Sequence, residues 1–365
     1  MRKSHHGRKP REVVTQAGEV RLSRVYRRCV KCQLGGYALD ERLGIEGRYS
    51  PHARRLISLA AASWSYDIAS DRLEQFCGLS LSDTTARKVA QEEGAAMLEW
   101  QRTDAAAVQE FCSSAGDVEF TTDGTSVNTT DGWREAKIGI FSKRDRGESA
   151  APSEWSERTL PSPNVSVAFA AIEASEQFGK RWKAWAKRLR LHDRSTITVL
   201  ADGAKWIWEE ARKNLVGAAG VLDIYHAIEA ISDTSKKLFG EATPAATAWT
   251  DDLRAAVLER GWDGFEIAWQ QTSSSYAADA PQHAILHALR NYLGKHVSHL
   301  DYAQRLHSGR SIGSGQVEGA CKNLIGRRLK QTAARWRPQR LNRMAGLCSI
   351  MYSHQWNAYW TTQTH

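Results

Sequence analysis

Residues 195–203 read STITVLADG, five alternating or continuous apolar and β-branched positions that close on an aspartate and a glycine. A short apolar run bounded by polar and turn residues predicts a buried strand. It ends on Asp202, where Gly203 lets the backbone turn and leaves the carboxylate at the sheet edge. Working outward, DVEFTTDG (117–124) predicts a strand ending on Asp123, followed by a second strand at REAKIGIFSKR (134–144) and a third at NVSVAFAA (164–171). The Trp-studded amphipathic helix GKRWKAWAKRLRL separates these from STITVLADG, and helix AKWIWEEARKNLV leads to a last strand in AAGVLDIYH (218–226). Three strands followed by helix, strand, helix, strand is the order of a ribonuclease-H-like core, an α/β mixed sheet. In such sheets, ligands collect at strand ends.

The flanks differ from this core. Residues 1–50 predict short extended pieces around Gly18, and 51–113 predict three helices: ARRLISLAAASWS, IASDRLEQFCG, and LSDTTARKVAQEEGAAMLEWQR with Ser82 or Asp83 as its cap. Two small helices, a short turn and a Thr/Arg-bearing helix suit a DNA-binding unit or an ordinary packing module. After the core's first part (114–226), residues 227–305 predict helices only, an all-helical insertion broken by the turn QTSSSY. The last part, 306–365, predicts one amphipathic helix over SGQVEGACKNLIGRRLKQ, entered through Gly313-Ser314-Gly315, and a final helix from about 338 to 360. Glu318 lies in the first turn of the former and shares its face with Cys321, Lys322 and Ile325.

Charge narrows the function. The 365 residues carry 50 Lys and Arg against 41 Asp and Glu, a net +9. Ten of those cations fall in residues 1–31 against only Glu12 and Glu19, and seven more, with no acid, fall in RRLKQTAARWRPQRLNR (327–343). Two concentrated basic segments in a balanced chain predict a polyanion partner. No apolar run approaches the roughly 18 residues of a membrane span, and six scattered cysteines make no disulfide framework. A soluble, cytoplasmic protein is expected, with no membrane partner.

Asp123, Asp202 and Glu318 are the candidate chemistry. Three carboxylates brought within a few ångströms repel one another unless a cation binds, and oxygen donors suit Mg²⁺ or Mn²⁺. A pair of such ions serves phosphodiester displacement. Cys29-Val-Lys-Cys32 is half of a zinc-ribbon-like knuckle, with His5 and His6 the only nearby candidates to complete a Zn²⁺ site.

The segments TTDGTS, LADGAKWIWEEARKNL, LDIYHAIEAISDTSKKLFG and GSGQVEGACKNLIGRRLKQTAARW resemble the DDE transposases of bacterial insertion sequences. The resemblance is to the Kra-type group in particular, in which a helical domain splits the catalytic core before the final Glu. It spans about residues 11–360. It implies that Asp123, Asp202 and Glu318 are the catalytic, metal-holding acids. It also implies that Asp223 and His226, matching the family's C/D-x-x-H signature, organise the site. The implied activity is 3′-end cleavage and strand transfer on the inverted-repeat ends of the element and on target DNA, with two Mg²⁺ or Mn²⁺ ions and a homodimer or higher assembly at synapsis. Lys322, Arg327, Arg328, Lys330, Arg335 and Trp336, with Arg24, Arg27 and Arg28 of the N-terminal arm, are the expected DNA contacts. Trp206 and Trp208 suit either base stacking or the core. The sequence departs from the family in lacking an upstream Cys pair, which keeps a second reading open: a catalytically silent DNA-binding remnant or repressor.

Overall fold

A computed structural model describes residues 3–331 and 333–363. The chain opens on a long hairpin. β1 (Lys3–Thr15) and β2 (Gly18–Cys29) pair antiparallel through a turn at Gly18, whose φ of 103° favours glycine. A two-residue β3 (Gly35–Gly36) adds to β2, and α1 (Ala38–Leu43) follows. Asp40 of α1 ties the hairpin down, accepting from Arg11 at 2.7 Å and from Arg24. Arg24 is buried and its guanidinium lies 4.0 Å from the Tyr37 ring centroid. Of the arginines expected to contact DNA, it is the one that fastens α1 to the hairpin, whereas Arg27 and Arg28 are exposed. Arg2 of the basic cluster lies outside the described residues.

Helices α2 (Pro51–Ser63), α3 (Tyr66–Cys77), α4 (Asp83–Thr103) and α5 (Ala106–Ser113) come next. Their ends follow local chemistry. Ser50 and Ser82 accept from Ala53 and Thr85 backbone N–H groups as N-caps, and Gly78, at φ 63°, ends α3 in the left-handed region. The first turns of α4 present exposed residues such as Thr84 and Lys88. Farther along it buries Ala90, Gly94, Met97 and Trp100.

β4 (Asp117–Thr129), β5 (Gly132–Arg144), β6 (Val165–Ala171), β7 (Ile197–Ala201) and β8 (Ala219–Leu222) form one sheet ordered β6-β5-β4-β7-β8. The β4–β5 and β5–β6 pairs are antiparallel, while β4–β7 and β7–β8 are parallel. The protein is thus a mixed α/β fold. Alternate residues serve opposite faces. Phe120, Phe141 and Phe169 pack with α6 (Ser175–Arg188) and α7 (Lys205–Asn214), and Trp182, Trp185 and Trp208 belong to that core. Val127, Ile138, Ile140 and Ala168 face α4 and the C-terminal helices.

Beyond β8, α8 (Ile224–Phe239), α9 (Pro244–Ser274), α10 (Gln282–Leu293) and α11 (Tyr302–His307) build a further core that takes in Leu200, Val221 and Leu222 of the sheet. The chain then returns through α12 (Gly315–Ala320), a π-helical stretch (Cys321–Gly326), α13 (Arg327–Leu329), α14 (Pro338–Tyr352) and α15 (Trp356–Thr362). α14 crosses α4 closely. A Cβ on Gly94 would fall 2.3 Å from the Arg343 carbonyl oxygen, and one on Gly346 would meet Leu98 at 2.6 Å. Among the described residues, no helix is long and apolar enough to cross a membrane.

Several elements differ from expectation. β4 runs past Asp123 to Thr129, because Thr125 and Val127 continue the strand pattern and the tight turn comes only at Asp131-Gly132. The strand expected over 218–226 stops at Leu222, since the Asp223 side chain accepts from the Tyr225 and His226 N–H groups and starts α8. QTSSSY interrupts the insertion at its end, since α9 runs through Ser274 and the chain turns from Ser275 before α10. The single helix expected over SGQVEGACKNLIGRRLKQ is α-helical, then π-helical, then α-helical. The final helix breaks at 353–355.

Candidate active site

The register of the sheet brings the acids together. β4 pairs with β7 as far as Thr121 opposite Leu200, and two residues further on the same face stand Asp123 and Asp202. β7 pairs with β8 as far as Ala201 opposite Leu222, and the Asp223 N–H donates to the Ala201 carbonyl at 2.8 Å. Asp123, Asp202 and Asp223 therefore stand at one level on three neighbouring strands, where the parallel pairing ends. This is the strand-end position of the sequence analysis, although for Asp123 the strand that ends is its neighbour.

Their environments set them apart. Asp202 is half-buried, and burial, followed by the charges of Asp123 and Asp223, pushes its carboxyl above the ordinary value, partly offset by the Ala204 N–H at 2.9 Å and by His226. Asp123 accepts from Gly124 N–H at 2.6 Å and from the Cys321 thiol at 3.3 Å. Burial, then the neighbouring Asp123, raises the Cys321 thiol well above its usual range, so it stays protonated and donates. Asp223 is fully buried. Besides capping α8, it accepts from the Ser314 N–H and, at 2.7 Å, from the Ser314 hydroxyl. It thereby anchors the turn that launches the Glu318 helix. His226 faces Glu229 at 3.3 Å and acts electrostatically on Asp202.

Glu318 rides on a segment held at several points. Ser311 donates to Glu119 of β4, and the Gln316 amide joins Ser142 of β5 (2.9 Å) to Ser166 of β6 (2.8 Å). The Tyr352 hydroxyl donates to the Gln316 carbonyl at 3.1 Å. Glu318 is half-buried, one turn before Cys321, and the charges of both Glu318 and Asp123 act on the Cys321 thiol. Among the described residues, no three His, Cys, Asp or Glu side chains form a closed metal cage, the three acids included. Asp123 and Asp202 fit a hard divalent cation by donor type, adjacency and mutual repulsion, while Glu318 meets them only through Cys321 and does not close the set. The π-helical turns begin immediately after Glu318's helix, at the residue that touches Asp123. Such wide turns recur at functional positions.

Sequence reasoning missed Gln316 and Tyr292, and it named Ser314 and Cys321 without their bonds to Asp223 and Asp123. The α10 residue Tyr292 stands over Asp202, and burial, then the Asp202 charge, pushes its phenol up to about 12. Gly203 is needed because a Cβ there would fall 2.4 Å from the Tyr292 hydroxyl. Gly203→Ala is expected to cost about 1–3 kcal/mol by overpacking and to displace Asp202. Thermal denaturation would show the loss, and Gly203→Ala/Tyr292→Ala would recover most of it.

The expected DNA contacts divide. Lys322, Arg327, Lys330 and Arg335 are exposed, and Lys330 Nζ donates to Thr125 of β4 beside the acids. Arg328 and Trp336 are buried. Arg328 Nε donates to the Ala61 carbonyl at 2.6 Å, its guanidinium lies between the Tyr66 and Trp336 rings, and the Trp336 indole donates to the Leu329 carbonyl. Both hold the C-terminal segment against α2 and α3 and are buried, unlike the four exposed cations. Trp208 is also core, stacked 4.1 Å from His299. Cys29 and Cys32 share a turn, with the Gln33 N–H donating to the Cys29 carbonyl, but no third ligand joins them among the described residues. His6 is bonded to Ser4 at 2.8 Å and His5 accepts from the Gly7 N–H at 3.3 Å. No protein-family model matches the chain, and no curated protein matches it.

Proposed function

We propose that this protein is a DNA transposase of the DDE type on a ribonuclease-H-like core. The observation that carries the reading is the alignment of Asp123 and Asp202 on neighbouring strands, with the Glu318 helix fastened to the same sheet face through Ser314, Gln316 and Cys321. The sheet's antiparallel β4–β5–β6 part, continued by parallel β7 and β8 with α6 and α7 as crossovers, supports the core type. The helices between β8 and α12 correspond to the insertion of the Kra-type resemblance.

Asp123, Asp202 and Glu318 would hold the divalent ions. A bound pair of Mg²⁺ or Mn²⁺ ions supplies activation of a water or 3′-hydroxyl and charge stabilisation at the scissile phosphate. Asp202, already disfavoured as an anion by burial and by Asp123, is relieved by a cation. Asp223 fixes the approach of the Glu318 segment through Ser314. Lys322, Arg327 and Lys330 hold backbone phosphates of the strand being cut. Water attack at phosphorus yields a free 3′-hydroxyl and a 5′-phosphate, and the 3′-hydroxyl then attacks target DNA in the same way.

The direct test is Mg²⁺-dependent nicking of DNA that carries the sequences flanking the gene. Nicking at the element's 3′ ends is expected. Binding without nicking in Mg²⁺ or Mn²⁺ would instead establish the silent DNA-binding reading. The exposed pair Arg27 and Arg28 contributes to the electrostatic footprint. Arg27→Ala/Arg28→Ala is expected to weaken DNA binding and flatten its salt dependence by about two in log–log slope. An unchanged slope in a binding titration across salt concentrations would remove the N-terminal hairpin from the interface.

A further inference from the structure

A second concavity lies away from the acids. It has a volume of about 380 Å³ and opens between α3, α4 and the start of α14. Arg328 lines it, 3% exposed, with its Nη2 lacking any hydrogen-bond partner. Four more arginines, Arg87, Arg335, Arg337 and Arg340, line the same space. Among the described residues, none of the five has a carboxylate within ion-pair distance. Arg337 is also the N-cap position of α14, a 15-residue helix with no side-chain cap. Its first N–H groups and dipole add to the positive field.

Five guanidinium groups around one concavity, one of them buried and partly unsatisfied, carry an electrostatic cost that an anion removes. Burial lowers the Arg328 pKa below its ordinary value, in keeping with that cost. Planar, multidentate donors match phosphate oxygens better than they match a single point charge.

We infer that this arginine-lined cavity is a phosphate-binding site that takes a backbone phosphate of the bound nucleic acid. The inference rests on the DNA reading for the source of the phosphate. Thr130 lines the cavity and follows the last residue of β4, the strand that carries Asp123. Seven residues of extended chain, at about 3.3 Å each, put Thr130 within about 23 Å of Asp123, outside the acidic site. The cavity would therefore hold the DNA in register without touching the reacting atoms.

The test measures binding in EDTA, so it does not depend on cleavage. Inorganic phosphate, at fixed ionic strength against chloride, is expected to raise the Tm of the full chain saturably. A hexathymidylate without terminal phosphate is expected to compete with it. Arg87→Ala/Arg340→Ala, two half-buried lining positions, is expected to abolish the phosphate shift, weaken duplex binding about tenfold and reduce the salt slope by about two. Arg328→Met, with its fold checked by circular dichroism, is expected to do the same for phosphate. If phosphate shifts the double variant as much as the wild type, or duplex affinity and slope are unchanged, the proposal is overturned. Phosphate binding without hexathymidylate competition would assign the site to free phosphate and overturn the backbone assignment. Equal competition by polyglutamate would overturn phosphate as the ligand class.

Discussion

Asp123→Asn, Asp202→Asn and Glu318→Gln proteins are each expected to lose Mg²⁺-dependent nicking by about three orders of magnitude or more, with duplex binding in EDTA nearly unchanged. Each change keeps shape and removes one negative charge, so the loss would report the charge set and not the fold. Asp202→Asn carries a second signature. Its carboxyl is pushed above the ordinary 3.8 first by burial and then, among the groups that raise it, by Asp123. A carboxyl raised in the folded state is one whose charged form the fold disfavours. Without a cation, the wild type therefore loses stability as pH rises from 3.8 through the elevated value, and that cost is absent at lower pH. Asp202→Asn is expected to be the more stable protein at neutral pH, by on the order of 1 kcal/mol, with the gap closing as pH falls towards 3.8. Mg²⁺ is expected to raise the Tm of the wild type and to leave that of Asp202→Asn nearly unmoved. A variant that nicks at the wild-type rate would strip its residue of the catalytic assignment.

Asp223→Ala is expected to be the most destabilising single change at the site, at about 2–4 kcal/mol. It removes an acceptor used by Tyr225, His226 and both donors of Ser314, in a place with no solvent access. Chemical denaturation measures the loss. Because Asp223 acts through the Ser314 turn, Ser314→Ala should reduce nicking in the same direction with a smaller loss of stability. Asp223→Asn keeps one acceptor oxygen and should recover part of both. If Asp223→Asn matched Asp202→Asn in activity, with no stability change, Asp223 would belong among the cation-holding acids.

What the sequence disclosed follows from the range of the interactions involved. Strand periodicity in STITVLADG and DVEFTTDG, and the cap at Ser82, are local, and the structure keeps them. The candidate acids were legible because a carboxylate at the end of an apolar strand is costly unless it is used. Roles that depend on distant partners were not legible. Nothing near Arg24 in sequence announces Asp40 as its clamp, and nothing near Arg328 announces the Ala61 carbonyl and the Tyr66 ring. Both therefore read as free cations. Tyr292 lies in a helix that reads as ordinary amphipathic insertion, and only the folded chain sets it over Asp202. The π-helical turns have no distinct periodicity over six residues, so CKNLIG reads as plain α-helix.

The reciprocal glycine crossing of α4 and α14 has a consequence for how the protein is made. About 235 residues separate the end of one helix from the start of the other. At roughly 5–20 residues per second, the ribosome would leave the apolar flank of α4 waiting for some ten to fifty seconds. Nascent chains stalled before residue 338 should therefore recruit chaperones through Met97 and Trp100, and release should coincide with emergence of residues 338–352.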